Sequence, residues 1–162
     1  MSITKFTIEK IYEKKRNNSN DDINCFCIAS NFNLPYEISF SDKESSVDIL
    51  FDKILSSNNF YVALDDPITP QIYGNYLITW SFRYEIMSPK SDSLILKAII
   101  KTSCSTKEFE FSEKNHNLFN CIIPCKGFAA GDGILFEISS SESSTINLVT
   151  NKVDIKYDSS FE

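Results

Sequence analysis

Glycine and histidine are both scarce in this sequence. The 162-residue chain contains four glycines and one histidine. So little glycine argues against flexible linkers, and the chain has neither the Gly-x-y repeat of a collagen-like stalk nor a heptad register. The one histidine, His116, lies between Asn115 and Asn117 in a polar stretch, which predicts a solvent-exposed side chain rather than the base of a catalytic triad.

Positive charge is also in short supply. Sixteen Lys and Arg residues face 22 Asp and Glu residues, so the net charge is -6 at pH 7. Proteins that bind nucleic acid draw most of their affinity from Lys and Arg contacts with phosphates, and no basic stripe is present. We therefore expect no nucleic-acid partner.

Long apolar runs are missing as well. The first ten residues hold no apolar stretch of the length that a secretory signal needs, and no later run approaches a membrane span. We expect a soluble protein made in the cytosol without a signal peptide, with no membrane insertion. Its five cysteines are an odd number, which favours reduced thiols. If the protein works outside a cell, we expect lysis or release of a particle, such as a virion or spore, to bring it there.

Motifs for catalysis, metals and cofactors are weak. Four thiols, Cys25, Cys27, Cys121 and Cys125, are the best zinc candidates, but residues two apart on a strand are too stretched for the turn of a zinc knuckle. Cysteine is more often a small buried apolar residue. The stretch 131–133, Gly-Asp-Gly, lacks the Lys and the following helix of a phosphate-binding loop. We expect no catalytic residue, no metal, no cofactor and no enzymatic activity.

The clearest positive feature is the stretch from Ile72 to Ile86. Every second residue is apolar or aromatic, while the residues between them become polar towards the end of the stretch. This period of two is that of a strand with one buried face, because a helix would scatter the same side chains around its axis. The apolar series is Tyr76, Ile78, Trp80, Phe82, Tyr84 and Ile86.

Similar short alternations occur along the rest of the chain. Val47–Leu55 and Phe60–Leu64 are expected to form two adjacent strands, plausibly a hairpin, and the run 118–123 is expected to end at Pro124. Two last strands are expected at 145–149 and 152–157. The segment 4–12 fits either a strand or a short helix. About nine or ten short strands separated by turns predict an all-β sandwich or barrel.

Two segments resemble the jelly-roll domain shared by the complement-q globular head and the tumour necrosis factor superfamily. In that family a Gly-x-Tyr and an alternating strand precede, by some fifty residues, a Gly-Asp and another alternating strand. Gly74-Asn75-Tyr76 with the strand that follows is similar to the first, and Gly131-Asp132 before Ile134 is similar to the second. The stretches 49–55 and 151–157 resemble two further strands of the family, so the similarity covers residues 47–158.

The resemblance implies an antiparallel jelly-roll β-sandwich. We assign this domain to residues 21–158, with an N-terminal arm or edge strand at 1–20 and a C-terminal tail at 159–162. It also implies a compact homotrimer whose subunits pack edge to face around a threefold axis. Tyr76, Trp80 and Phe136 are the candidate residues of the core or of the trimer interface. An ordinary place in the core of the sandwich explains them equally well.

Two functions fit such a head. The first is a receptor-binding or attachment module that recognises a protein or glycan at loop ends, for which Asp65, Asp66 and Gln71 are candidates, together with the loops 88–93 and 139–144. The second is a structural protein of a viral or other particle, whose main contacts are with copies of itself. An attachment head forms a discrete trimer, whereas a lattice protein keeps growing.

Overall fold

The computed structural model describes residues 23–41, 45–63, 67–88, 93–103, 105–112 and 117–158. The expected arm at 1–20, the expected tail at 159–162 and His116 lie outside these ranges. Within the ranges there are twelve strands and no helix, so no helix there has the length and hydrophobicity that crossing a membrane requires. The strands are β1 (Phe26–Ser30), β2 (Tyr36–Phe40), β3 (Ser45–Asp48), β4 (Lys53–Asn58), β5 (Phe60–Tyr61), β6 (Thr69–Pro70), β7 (Gly74–Ser88), β8 (Leu96–Lys101), β9 (Thr106–Phe111), β10 (Leu118–Phe128), β11 (Leu135–Ser140) and β12 (Ser144–Tyr157).

Two antiparallel sheets form a sandwich. The six-stranded sheet has the order β10-β7-β12-β1-β4, and β2 pairs with the other end of β12. The four-stranded sheet has the order β3-β11-β8-β9, and β5 and β6 form a separate two-stranded ribbon. The predicted all-β antiparallel sandwich is confirmed. The strand count exceeds the expected nine or ten because the region 45–70 forms four short strands.

Strand β7 lies second in the six-stranded sheet and supplies much of the core. The six side chains predicted to face inward are all buried, which confirms the alternation of 72–86. Trp80 contacts Phe136 of the opposite sheet at a ring-centroid distance of 5.1 Å, in an edge-to-face arrangement. Burying each large apolar side chain contributes about 1.5–3 kcal/mol, so this one strand holds a large share of the stability.

The predicted hairpin of Val47–Leu55 with Phe60–Leu64 is wrong. The first stretch divides into β3, which pairs with β11, and β4, which pairs with β1 in the other sheet. The chain crosses between the sheets at 49–52, where Phe51 packs edge to face on Phe136 at 5.2 Å. Phe60 pairs with Pro70 instead. Ile49 and Phe51, two of the apolar side chains that suggested one continuous strand, are buried because the crossover itself runs through the core.

Two expected strand ends are also wrong. β10 continues through Pro124 to Phe128. Proline has no backbone N–H to donate to a neighbouring strand, and it is tolerated here because β10 is an edge strand with a neighbour on one side only. β12 is continuous from Ser144 to Tyr157, where two strands with a gap at 150–151 were expected. A bulge between Leu148 and Thr150 lets this strand turn without ending.

Candidate functional site

The three candidate interface residues lie inside the subunit. Tyr76 and Trp80 are fully buried and Phe136 is nearly so. Trp80 and Phe136 touch each other, whereas Tyr76 belongs to a separate aromatic cluster with Phe60, Phe128 and Tyr157. Within one subunit all three are core residues, and any part they play between subunits stays a prediction.

The surroundings of Tyr76 explain the Gly-x-Tyr motif. Gly74 lies under the ring of Tyr157, and a Cβ atom at this position would come within 2.2 Å of Tyr157 Cε2. The Tyr76 hydroxyl donates to the Ile72 carbonyl at 2.5 Å and lies 3.2 Å from Cys25 Sγ. Burial raises the pKa of Tyr76 above its ordinary value and that of Cys25 to about 11, so both groups are neutral at pH 7. This cluster is structural rather than reactive.

A buried polar network surrounds Trp80. Its Nε1–H donates to Asn151 Oδ1 at 2.9 Å, and the Asn151 amide donates to Asn31 Oδ1 at 2.8 Å. Asn31 in turn donates to the Leu50 carbonyl at 2.7 Å, in the crossover between the sheets. Such hydrogen bonds offset the cost of burying amides. The sequence signal that could have revealed Asn151 is a polar residue between two apolar alternations at 145–149 and 152–157.

The four thiols considered for zinc are not brought together. Cys25 and Cys27 lie at or in β1, and Cys121 and Cys125 lie in β10, with β7 and β12 between them. Three strand spacings correspond to about 14 Å. Within the described ranges no group of three or more His, Cys, Asp or Glu residues could hold a metal ion.

The candidate binding loops lie at opposite ends of the sandwich. Gln71 precedes β7 and donates its backbone N–H to the Asn59 carbonyl, whereas Asp65 and Asp66 lie outside the described residues. At the far end of β7, Ser93, the last residue of the predicted loop 88–93, donates its Oγ–H to Glu142 Oε1 in the turn 139–144 at 2.6 Å. The structure therefore places Ser93 beside the turn 139–144 and Gln71 at the opposite end of β7.

The solvent-facing side of the six-stranded sheet carries apolar side chains at its β10 edge. Leu77 lies opposite Pro124, and Ile122 lies opposite Thr79 in the next row of the same face. Ile122 is 60% exposed and Leu118 is 53% exposed. We call the set Leu77, Leu118, Ile122 and Pro124 the β7–β10 patch. Single exposed apolar residues are normal on proteins, but several in register on one sheet face indicate a contact surface.

The patch borders the β10 edge of the sheet. Phe119, Cys121, Ile123 and Cys125 face the core from β10 and are buried, so the exposed apolar side chains of this strand lie on its solvent face. Farther from this edge the same sheet face carries Asp154 and Lys156 on β12. An apolar edge beside a charged region is suited to binding another protein surface.

Sequence reasoning predicted the strand at 118–123 but not this patch. The run Leu-Phe-Asn-Cys-Ile-Ile-Pro-Cys has apolar residues on both faces, so its pattern alone could not show which face meets solvent.

No protein-family model matches the sequence, and no curated protein matches it. Among solved structures, the PRD1 vertex protein P5 superposes with a TM-score of 0.53 at 11% identity, covering 85% of this chain and 100% of that chain. Eiger TNF from S. frugiperda matches with a TM-score of 0.49 at 10% identity, covering 86% and 95% of the two chains. Murine APRIL matches with a TM-score of 0.47 at 10% identity, covering 82% and 98%.

At such identities the likeness concerns the fold alone. The predicted antiparallel jelly-roll β-sandwich is confirmed, and the superposition on the PRD1 vertex protein P5 is a likeness of that fold.

Proposed function

We propose that this chain is a non-enzymatic jelly-roll head that assembles as a homotrimer and binds a protein or glycan surface. The observation that carries the proposal is the β7–β10 patch, in which exposed apolar side chains lie in neighbouring rows of one sheet face beside the edge strand β10. An edge that packs on the sheet face of the next subunit makes a contact between two different surfaces. Repeated contacts of this kind close into a ring of three subunits when each subunit is rotated by a third of a turn relative to the previous one.

The non-enzymatic part rests on the chemistry of the described side chains. Burial raises the pKa of Cys25 to about 11, of Cys27 to about 12 and of Cys121 to about 11, so these thiols are poor nucleophiles at pH 7. The buried amides of Asn31 and Asn151 bond to protein groups rather than facing a cleft. A head of this kind functions by binding another molecular surface rather than by catalysing a reaction.

The ligand surface belongs at the loop ends, because the sheet face is needed for assembly. One end holds Gln71 with Asp65 and Asp66 close to it in sequence, and the other holds the serine-rich turn 139–144. Loop ends held by a rigid sandwich are common binding positions.

The test is the native mass by light scattering after size exclusion, with reductant present and at several protein concentrations. We expect a mass of three chains for the parent and of one chain for Ile122→Lys, because a charge in the patch is costly to bury. Ser39→Lys is the matched control, since it places the same charge at an exposed position in β2 of the same sheet. A monomeric parent, or an Ile122→Lys variant that stays trimeric, would refute the proposal.

A second candidate is a structural component of a released particle, such as a virion. The observation that favours it is the superposition on the PRD1 vertex protein P5, which shares this fold over 85% of the chain. A mass that keeps rising with concentration would support this candidate against the discrete head.

A further inference from the structure

Strand β4 is an edge strand with little protection against pairing. Within the described residues it has one strand neighbour, β1, and its other side carries backbone groups without a ladder partner. Ile54 is 40% exposed and Leu55 is 49% exposed. After Lys53 the strand has no charge and no proline. Free edges of this kind bind other extended chains.

The other edge strands carry features that discourage pairing. β10 contains Pro124 and has a bulge beyond Cys125, and β9 carries Lys107, Glu108 and Glu110. β3 is only four residues long and ends at Asp48, and β2, which pairs with β12 alone among the described strands, has five residues and carries the exposed Glu37. Charges, proline, bulges and shortness are the usual means by which edges are kept from pairing. β4 is therefore the edge that needs a partner.

The chain itself enters the sandwich beside this edge. The side-chain amides of Asn58 and Asn59, at the end of β4, both donate to the Asn24 carbonyl, at 3.0 and 2.8 Å. Cys25 Sγ donates to the Asn59 carbonyl at 3.4 Å. The residues that precede Ile23 therefore begin at one end of the open edge, so they are at high local concentration there.

The sequence before Ile23 contains a segment that suits the edge. Thr4–Glu9 alternates Phe6 and Ile8 with Lys5, Thr7 and Glu9, the pattern of a strand with one apolar face. It has six residues, as β4 has. The connecting residues 10–22 can span about 43 Å when extended, roughly twice the length of a six-residue strand, so either pairing direction can be reached.

We propose that residues 4–9 pair with the free edge of β4 in the same subunit and add a strand to the six-stranded sheet. Phe6 and Ile8 then cover one of the two exposed apolar side chains, Ile54 or Leu55, and the segment supplies the missing ladder partners. Closing this edge leaves the β7–β10 patch as the main self-association surface. The inference stands independently of the proposed trimer.

The test is hydrogen–deuterium exchange of the full-length chain, followed by mass spectrometry of peptides that cover 53–58. Phe6→Pro with Ile8→Pro removes two ladder donors, and we expect the outward-facing amides of β4 to exchange at least about tenfold faster. The matched control is Asn17→Pro with Ser19→Pro in the connecting residues, which should leave this exchange unchanged. Peptides from β7 report global unfolding and should keep their rates in both variants.

Two results would overturn the proposal. One is slow exchange of 53–58 that the Phe6→Pro and Ile8→Pro changes do not affect. The other is protection of β4 that falls on dilution, which would mean that the segment comes from another copy. If the proline variant unfolds, Phe6→Ser with Ile8→Ser keeps the backbone donors and should give a smaller acceleration of the same amides. Unchanged exchange in that variant would equally refute the pairing.

Discussion

Asn151 is a single residue that connects Trp80 of the core to Asn31, which binds the crossover between the two sheets. Its Oδ1 accepts from Trp80 and its amide donates to Asn31, which in turn holds the crossover at Leu50. Asn151→Ala leaves the indole N–H and the Asn31 oxygen buried without partners. We expect a loss of about 2–5 kcal/mol in the free energy of unfolding, measured by urea denaturation. Asn120→Ala, at an exposed position of β10, is the control and should change this free energy by less than about 0.5 kcal/mol. Equal losses in both variants would contradict the role given to the network.

At the scale of elements, the Glu137 carboxylate on β11 links this strand to both of its neighbours, β3 and β8. Glu137 accepts from Ser46 Oγ at 2.7 Å and from Lys101 Nζ at 2.8 Å. Burial alone would raise the pKa of Glu137, but these two donors favour the ionised form and hold its pKa below the ordinary value of 4.5. A carboxyl with a lowered pKa in the folded state adds stability that is present above pH 4.5 and is lost as the pH falls through the folded pKa.

We therefore expect the free energy of unfolding of the parent to fall with acidification below about pH 4.5, and to fall less steeply in Glu137→Gln. Denaturation curves between pH 2 and pH 7 measure both slopes. Lys101→Met should flatten the profile as Glu137→Gln does, whereas Lys107→Met, at an exposed position of β9, should not. Identical slopes for the parent and Glu137→Gln would show that this ion pair does not couple the strands to pH.

For the whole molecule, the described thiols report whether the core opens as one unit. Cys25 and Cys27 lie at one side of the six-stranded sheet and Cys121 lies at the other, and all three are buried against the same core. Burial raises their pKa to about 11, 12 and 11, respectively, which keeps them protonated at pH 8. We expect iodoacetamide to alkylate the three at a common rate, at least about 100-fold slower than in the urea-unfolded chain. Peptide mapping by mass spectrometry measures each rate, and rapid labelling of one thiol in the native protein would disprove a single cooperative core.

The sequence by itself determined the strands in which one face is apolar and the other polar. In β7 the alternation identifies the buried residues, and in β11 it identifies Phe136 and Ile138, because successive side chains of a strand point to opposite faces. The Gly-x-Tyr and Gly-Asp segments pointed to the jelly-roll fold, and the contact of Gly74 with Tyr157 gives the first of them a steric reason. These are local properties, so a single chain segment is enough to reveal them.

Only the tertiary structure decided where those strands lie and which surfaces stay open. Val47 lies in β3 and Leu55 lies in β4 of the other sheet, although one alternation links them. The crossover between them buries Ile49 and Phe51 as a strand would, so the pattern could not show that the strand ends. Pro124 is tolerated because β10 is an edge, and Ile122 is exposed although its neighbour Ile123 is buried. The contact of Ser93 with Glu142 and the buried network of Asn151 also depend on residues far apart in the chain. Hydrophobic periodicity indicates which side chains of a strand are buried. It does not indicate which strand or sheet packs against them, because that depends on contacts between distant parts of the chain.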